Sequence, residues 1–217
     1  MKKVYLVRHG ESEANVGEHH GDASSPLSEK GKRQAEFIAE RVSHLPVQCV
    51  IASTMVRAQQ TAEAISAKVS LPIESSDLFV ESRGPSEYLN AIYTDPAAIK
   101  AYLEMRENYG KPGWRYTDAE NFEDHTIRAQ AALKLLEGRT EEHILVVTHG
   151  IFLKLLLAHV VFGSTPTAHE CQRISHAFET QNTGLTIFEH TEKMFSGSKL
   201  PNPWHMVVWN DHAHLAD

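Results

Sequence analysis

Twice in this chain an apolar run of strand length stops abruptly on a histidine followed by a glycine. The first is Val4-Tyr5-Leu6-Val7, followed by Arg8-His9-Gly10; the second is Ile144-Leu145-Val146-Val147, followed by Thr148-His149-Gly150. Apolar runs without polar alternation fit strands covered on both faces, as in a parallel α/β sheet. A permanently charged arginine and a titratable histidine at the point where such a strand ends need a reason, because neither enters a core without a partner. In open α/β sheets the ligand crevice lies at the carboxyl ends of the strands, and both histidines fall there.

The rest of the chain supplies helices to cover such a sheet. LSEKGKRQAEFIAERVSHL reads as a helix capped by Ser28, with Ala35, Ile38, Ala39 and Val42 at helical spacing. VQCVIAS reads as a second buried strand. STMVRAQQTAEAISAKV reads as a helix with Ala58, Ala62, Ile65 and Val69 along one face. LPIESSDLFVES is a short strand and a loop, and AENFEDHTIRAQAALKLLEG an amphipathic helix that Gly138 ends. IFLKLLLAHVVFG is the helix after the second His-Gly; TGLTIFEH and WHMVVWN read as two closing strands, suited to antiparallel pairing. Strand-helix alternation, twice over, predicts an α/β protein: a three-layer α/β/α sandwich on a mostly parallel sheet, residues 1–217 forming one domain. Gly10 to Pro26 reads as a loop. Pro85, Pro96 and Pro112 punctuate an irregular, partly helical stretch, so residues 82–118 are expected to form a helical cap inserted over the mouth of the sheet.

Composition narrows the class. With 217 residues, 41% hydrophobic and 23% charged, the chain can bury a full core without staples. A net charge of -7 argues against nucleic acid or an anionic membrane as partner. The apolar run in MKKVYLVRHG is too short for a signal peptide. No stretch reaches the roughly 18 apolar residues of a membrane span; IFLKLLLAHVVFG is interrupted by Lys154 and His159. The two cysteines, Cys49 and Cys171, form no CxxC pair, and Cys49 sits in an apolar run as a buried thiol would. A cytoplasmic location is the expectation.

Two arginines, two histidines and a carboxyl at strand ends suit phosphoryl chemistry. Arg8 and Arg57 can each grip a phosphate with a planar fork. A neutral imidazole can attack phosphorus and carry the phosphoryl group. A second histidine, if protonated, can stabilise the charge that spreads over the equatorial oxygens. A carboxylic acid can protonate the departing alkoxide and then deprotonate the hydrolytic water. RHGES with Asn15, PLSEKGKRQA, SxxxRAxQTA, Glu81, VVTHG and the closing WNDHAHL together resemble the histidine phosphatase superfamily, the phosphoglycerate-mutase-like proteins, across nearly the whole chain. The resemblance implies that His9 is the phosphoryl-accepting nucleophile and Glu81 the proton donor. It implies a phosphate pocket of Arg8, Arg57 and His149, with Asn15 donating to a phosphate oxygen and Gly10 and Gly150 letting the backbone approach closely.

The sequence departs from the family pattern around the acid. The run is ESRGPSEYLN, with Gly84 three residues after Glu81 where many relatives have a glycine four residues on, and Glu87 is a rival donor. The ERHYG-type segment of the mutases is absent, as is the longer chain those mutases usually have. The expected activity is therefore metal-independent hydrolysis of a small-molecule phosphomonoester through a phosphohistidine on His9, with no cofactor. The alternatives are a phosphoglycerate-type mutase and a non-catalytic phospho-ligand binder. His19-His20 and His212-Ala213-His214 lack an acidic or cysteine partner at metal-ligand spacing, so no metal site is expected. His19 or His20 is instead a candidate for the substrate entrance. Arg83, Arg106 and Arg115 are candidates to touch a charged substrate, and Trp114 and Tyr116 to pack on it or to hold the cap to the core. Which phosphomonoester is hydrolysed, and in what oligomeric state, the sequence leaves open.

Overall fold

The computed structural model describes residues 1–19, 21–191 and 202–215. Six strands form one sheet: β1 (Lys2–Arg8), β2 (Cys49–Ala52), β3 (Ile73–Ser75), β4 (His143–Thr148), β5 (Leu185–His190) and β6 (Trp204–Asp211), in the order β3-β2-β4-β1-β5-β6. The first four are mutually parallel; β5 runs antiparallel to β1 and β6 antiparallel to β5. The helices are α1 (Glu13–Val16), α2 (Glu29–Ser43), α3 (Val56–Val69), α4 (Pro96–Asn108), α5 (Phe122–Gly138), α6 (Gly150–Phe162) and α7 (Ala168–Ala177).

The apolar strands are buried on both faces because they feed two separate cores. Val4, Leu6, Ile51, Ile144 and Val146 point into one, with residues of α5, α6 and α7. Tyr5, Val7, Val50, Ala52, Leu145 and Val147 point into the other, with residues of α2 and α3. Period-two alternation of side-chain direction turns a continuous apolar run into two half-runs, one per layer. The three-layer sandwich on a mostly parallel sheet is thus what the sequence predicts.

Helix ends follow local chemistry. Ser28 caps α2 by accepting from the Gly31 N–H, as its position in the sequence suggests. Helix α5 starts at Phe122 rather than Ala119, because Asn121 and Asp124 form a reciprocal capping box there. Two helices were not anticipated. α1 occupies part of the expected Gly10–Pro26 loop, and α7 packs on α6 after a Thr167–Glu170 capping box. Cys49 is only partly buried, standing first in β2, whereas Cys171 is buried.

Within residues 82–118 lie a 3-10 turn (Ser86–Tyr88) and α4, whose N-cap Asp95 accepts from the N–H groups of Ala97 and Ala98. This segment meets the loop after β1. The Tyr93 N–H donates to the Glu18 carbonyl at 2.9 Å, and Ile92 bridges His19.

Candidate active site

Strand register brings the two His-Gly pairs together. β1 and β4 are parallel neighbours with Arg8 opposite Thr148, so His9 and His149 leave the sheet side by side. The His9 N–H donates to the Thr148 carbonyl at 2.9 Å, and the two imidazole rings lie 4.9 Å apart, tilted by 58°. Both are buried.

Local hydrogen bonds determine the state of His9. Its Nδ1 lies 2.6 Å from the Gly10 carbonyl oxygen. A carbonyl can only accept, so Nδ1 carries the proton and Nε2 keeps its lone pair. The Arg57 Nε–H donates to that Nε2 at 3.2 Å. Burial, followed by the charges of Arg57 and Arg8, holds the His9 pKa well below the ordinary imidazole value. Arg57 stands in the first turn of α3, where the rest of its guanidinium reaches the Asp22 carbonyl (2.8 Å) and the Met55 sulfur (3.1 Å). Its own carbonyl accepts from the Thr61 hydroxyl, which in turn accepts from the Gly10 N–H. The loop after β1 is therefore tied to α3 at Gly10, at Asp22 and through the His9 ring itself.

His149 is the N-cap of α6. Its Nε2 pairs with the Ser53 hydroxyl at 2.8 Å, Ser53 lying just past β2. Burial, then the neighbouring His9, Arg57 and Arg8, push its pKa well down. Arg8 donates from Nη1 to the Thr180 carbonyl at 2.6 Å, and burial depresses its pKa, partly offset by the Glu81 carboxylate. Gly150 has no room for a side chain: a Cβ would lie 2.9 Å from the Thr180 hydroxyl and 3.4 Å from Arg8 Nε. Gly10 is likewise a matter of close approach, since a Cβ there would meet the Gly31 carbonyl of α2 at 2.6 Å.

Glu81 faces the same crevice from a loop without regular structure. Its carboxylate accepts from the backbone N–H groups of Ile151 (3.1 Å) and Phe152 (2.9 Å) in the first turn of α6, and from Ser82 (2.9 Å). Orphan donors at a helix start favour an anionic group, so the carboxylate caps the helix that His149 begins. The Thr148 hydroxyl also donates to the Phe79 carbonyl at 2.8 Å, pinning this loop to the end of β4.

The remaining expectations divide. Asn15 lies in α1, in the segment that follows β1, but its Oδ1 is engaged by the backbone N–H and hydroxyl of Ser12; only the amide nitrogen is left to donate. Glu87 is exposed in its 3-10 turn, with no hydrogen bond to the crevice among the described residues. Arg115 pairs with Asp124 and the Ala119 carbonyl, so it ties the end of its segment to the start of α5. Arg83 is exposed, and Arg106 lies in an open groove between α4 and α7. Trp114 and Tyr116 lean on one another, 6.4 Å between rings. The His19 ring stacks over the place a Gly17 side chain would take, and His20 lies outside the described residues. His214 bonds Arg41 and Thr183, and His212 bonds the Asn210 carbonyl, so both rings are already engaged.

Sequence reasoning gave no role to four contributors: Ser53, Thr61, Asn182, whose amide donates to the His9 carbonyl at 3.0 Å, and Arg128, which supports the Glu81 loop. Only Ser53 and Thr61 carried a signal, as the first and last polar positions of SxxxRAxQT.

The arrangement offers an unprotonated ring nitrogen beside two guanidinium groups, a second imidazole and a carboxylate. That suits in-line attack on a phosphoryl group. Comparison with known proteins agrees with the geometry. A chain described as a probable phosphoglycerate mutase, GpmB, from Enterobacter sp. (strain 638) is 32% identical over 226 residues, covering 99% of this chain and 95% of its own. Phosphoglycerate mutase-like protein 4 of Arabidopsis thaliana is 27% identical, covering 99% and 87%. Among solved structures, Bacillus stearothermophilus YhfR superposes with a TM-score of 0.79 at 27% identity, covering 99% of each chain. A mycobacterial glucosyl-3-phosphoglycerate phosphatase complexed with VO3 does so at 0.77 and 22% identity, covering 97% and 100%. With the family model for the histidine phosphatase superfamily (branch 1) matching residues 4–202, strand ends, paired histidines and relatives converge: the chain belongs to that superfamily.

Proposed function

We propose that this protein is a phosphatase that hydrolyses a small phosphate monoester through a phosphoryl group carried on Nε2 of His9. The observation that carries this reading is the His9 Nδ1–H···O=C bond to Gly10, which leaves Nε2 unprotonated beside Arg57 and within the field of Arg8. The Nε2 lone pair attacks phosphorus while the P–O bond to the leaving group breaks. Glu81, acting as general acid, gives a proton to the departing alkoxide. As a carboxylate it then takes a proton from water, whose oxygen attacks phosphorus. The P–N bond breaks, its electrons return to His9, and inorganic phosphate leaves. Arg8, Arg57, the Asn15 amide and His149 hold the phosphoryl oxygens, and Gly150 admits Arg8 to its place. No step requires a metal ion. Residues 82–118 serve as the cap, meeting the loop after β1 through Tyr93 and Ile92.

Hydrolysis is favoured over phosphoryl exchange because the sequence lacks the ERHYG-type segment of the mutases. The mycobacterial neighbour named for phosphatase activity supports the same side. The mutase reading rests on the GpmB relatives. Purified protein is assayed for phosphate release from a panel of phosphomonoesters with and without EDTA, and for interconversion of 2- and 3-phosphoglycerate. The expected result is EDTA-resistant hydrolysis, abolished in His9→Ala, with an acid-labile, alkali-stable phosphoenzyme in the wild type. Efficient interconversion with negligible phosphate release would establish the mutase instead.

A further inference from the structure

The loop that carries Glu81 has no strand or α-helix of its own, and several of its backbone groups are held by largely buried side chains from α5 and the turn before it. Arg128 donates from Nη1 to the Val80 carbonyl at 2.7 Å, with the Leu78 and Glu81 carbonyls at 3.4 and 3.5 Å. The same guanidinium meets both oxygens of Glu120, at 2.8 and 2.7 Å, and lies 4.2 Å over the Phe152 ring. Glu120 accepts the Arg83 N–H at 2.8 Å while its own N–H donates to the Arg83 carbonyl at 2.9 Å. His125 closes the other side. Its Nε2 pairs with the Ser82 hydroxyl at 2.9 Å, and its Nδ1 with the Tyr109 hydroxyl at the end of α4, also at 2.9 Å. Burial alone would raise the Glu120 pKa, but hydrogen bonds from His125 and Arg128 outweigh it and hold the carboxyl down to about 2.

We infer that Arg128 and His125 are positioning residues that aim the Glu81 carboxyl, by clamping residues 78–83 from below and, through Tyr109, tying that loop to α4. This rests on Glu81 being the proton donor proposed above. A buried ion pair is weak evidence of stability, since apolar packing can often replace it. What an Arg–Glu–His cluster supplies here is directional: donors and acceptors matched to backbone groups on either side of one carboxyl. Since a displacement of about 1 Å from remote mutation can cost on the order of 10²-fold in rate, the clamp should show in the proton-transfer step above all.

The test compares an alkyl phosphate, whose leaving group needs a proton, with p-nitrophenyl phosphate, whose leaving group departs without one. Wild type, Glu81→Gln, Arg128→Met, Ser82→Ala and the double variant Arg128→Met/Glu81→Gln are assayed on both. The expected result is a drop of about tenfold or more in the alkyl-to-aryl rate ratio for Arg128→Met and a smaller one for Ser82→Ala. Read as kcat/KM, which covers phosphoenzyme formation but not the later water attack that Glu81 also serves, the aryl value should change less than about threefold in the clamp variants, and the double variant's alkyl-to-aryl ratio should fall no further than that of Glu81→Gln. Should Arg128→Met not be recovered folded, Arg128→Lys and Tyr109→Phe take its place beside Ser82→Ala. Equal slowing of both esters, or none, in the clamp variants while Glu81→Gln stays selective would overturn the inference alone. Loss of leaving-group selectivity in Glu81→Gln itself would overturn the proton-donor reading and the inference with it.

Discussion

His9 shows how a single side chain acquires a chemical state from its surroundings. The Gly10 carbonyl selects the tautomer, and burial among two arginines keeps the ring neutral at pH values where a free imidazole would be charged. The sign is therefore determined. The acid limb of kcat/KM, corrected for the ester's own ionisation, should fall below pH 6.5, and Arg57→Ala should move it upward, because one of the depressing charges is gone. An acid limb at or above 6.5 in the wild type would contradict the assigned state. Arg57→Ala should also lose roughly 2–4 kcal/mol of transition-state stabilisation, the scale for one preorganised donor. The measurement is kcat/KM against pH for the two proteins. At this scale His9, Arg8, Arg57 and His149 were legible, because each stands next to a strand or helix boundary that the apolar pattern marks. The Ser53–His149 pair was not, since it joins neighbours far apart in the chain, and the engagement of the Asn15 side-chain oxygen by Ser12 was not, since it depends on a rotamer.

Elements are held to one another by contacts at their ends. Helix α2 crosses the loop after β1 so closely that a Cβ on Gly31 would overlap the Glu11 carbonyl. The same contact is stitched by Ser28 N–H to the Glu11 carbonyl, the Ser28 hydroxyl to the Glu11 carboxylate, and Lys30 to that carboxylate. Gly31→Ala should cost about 1–3 kcal/mol, the range for overpacking, and should lower activity more than stability alone explains, because the displaced loop carries His9. Urea unfolding and kcat/KM on the same preparation separate the two effects. Helix α5 ends on Lys2, whose ammonium donates to the carbonyls of Leu136, Glu137 and Arg139. Lys2→Met leaves these acceptors to solvent and should lower stability by about 1–2 kcal/mol with little effect on turnover; an unchanged urea midpoint would show the cap to be unimportant. α2 was legible as an element from its Ser28 cap and helical spacing. α7 carried a signal too, the T-x-x-E box at Thr167, but its few apolar positions make sense only against α6.

For the molecule as a whole, the burial of a charged cluster ties folding to pH. His9 and His149 are neutral in the fold and have an ordinary pKa near 6.5 when unfolded. Below that pH the unfolded chain takes up protons that the folded one does not. Their contribution is thus intact above 6.5 and is lost as pH falls, by about 1.4 kcal/mol per unit for each group. Glu120, held at about 2, adds a second loss that begins near pH 4.5. The urea midpoint should therefore already decline between pH 7 and 5, before the carboxylates titrate, and His149→Gln should flatten that slope. A midpoint constant over this range would mean that the histidines are not held neutral.

By itself the sequence determined the layering and the place of the chemistry. Unbroken apolar runs have to be covered on both faces, and a strand that ends in Arg-His-Gly can present those groups only at the rim of the sheet. The tertiary structure decided everything that requires two distant segments to meet. Register between β1 and β4 set His9 beside His149, and the end of β2 supplied Ser53. Where the two acids Glu81 and Glu87 point also lay beyond the sequence, whose family resemblance favours Glu81 but which holds no rule for aiming a loop carboxyl. Only packing shows Glu81 on the first turn of α6 above a largely buried Arg128–Glu120 pair, and Glu87 turned to solvent. The physical reason is that periodicity encodes which face of an element is covered, whereas the direction of a single loop carboxyl is set by hydrogen-bond partners up to 71 residues away.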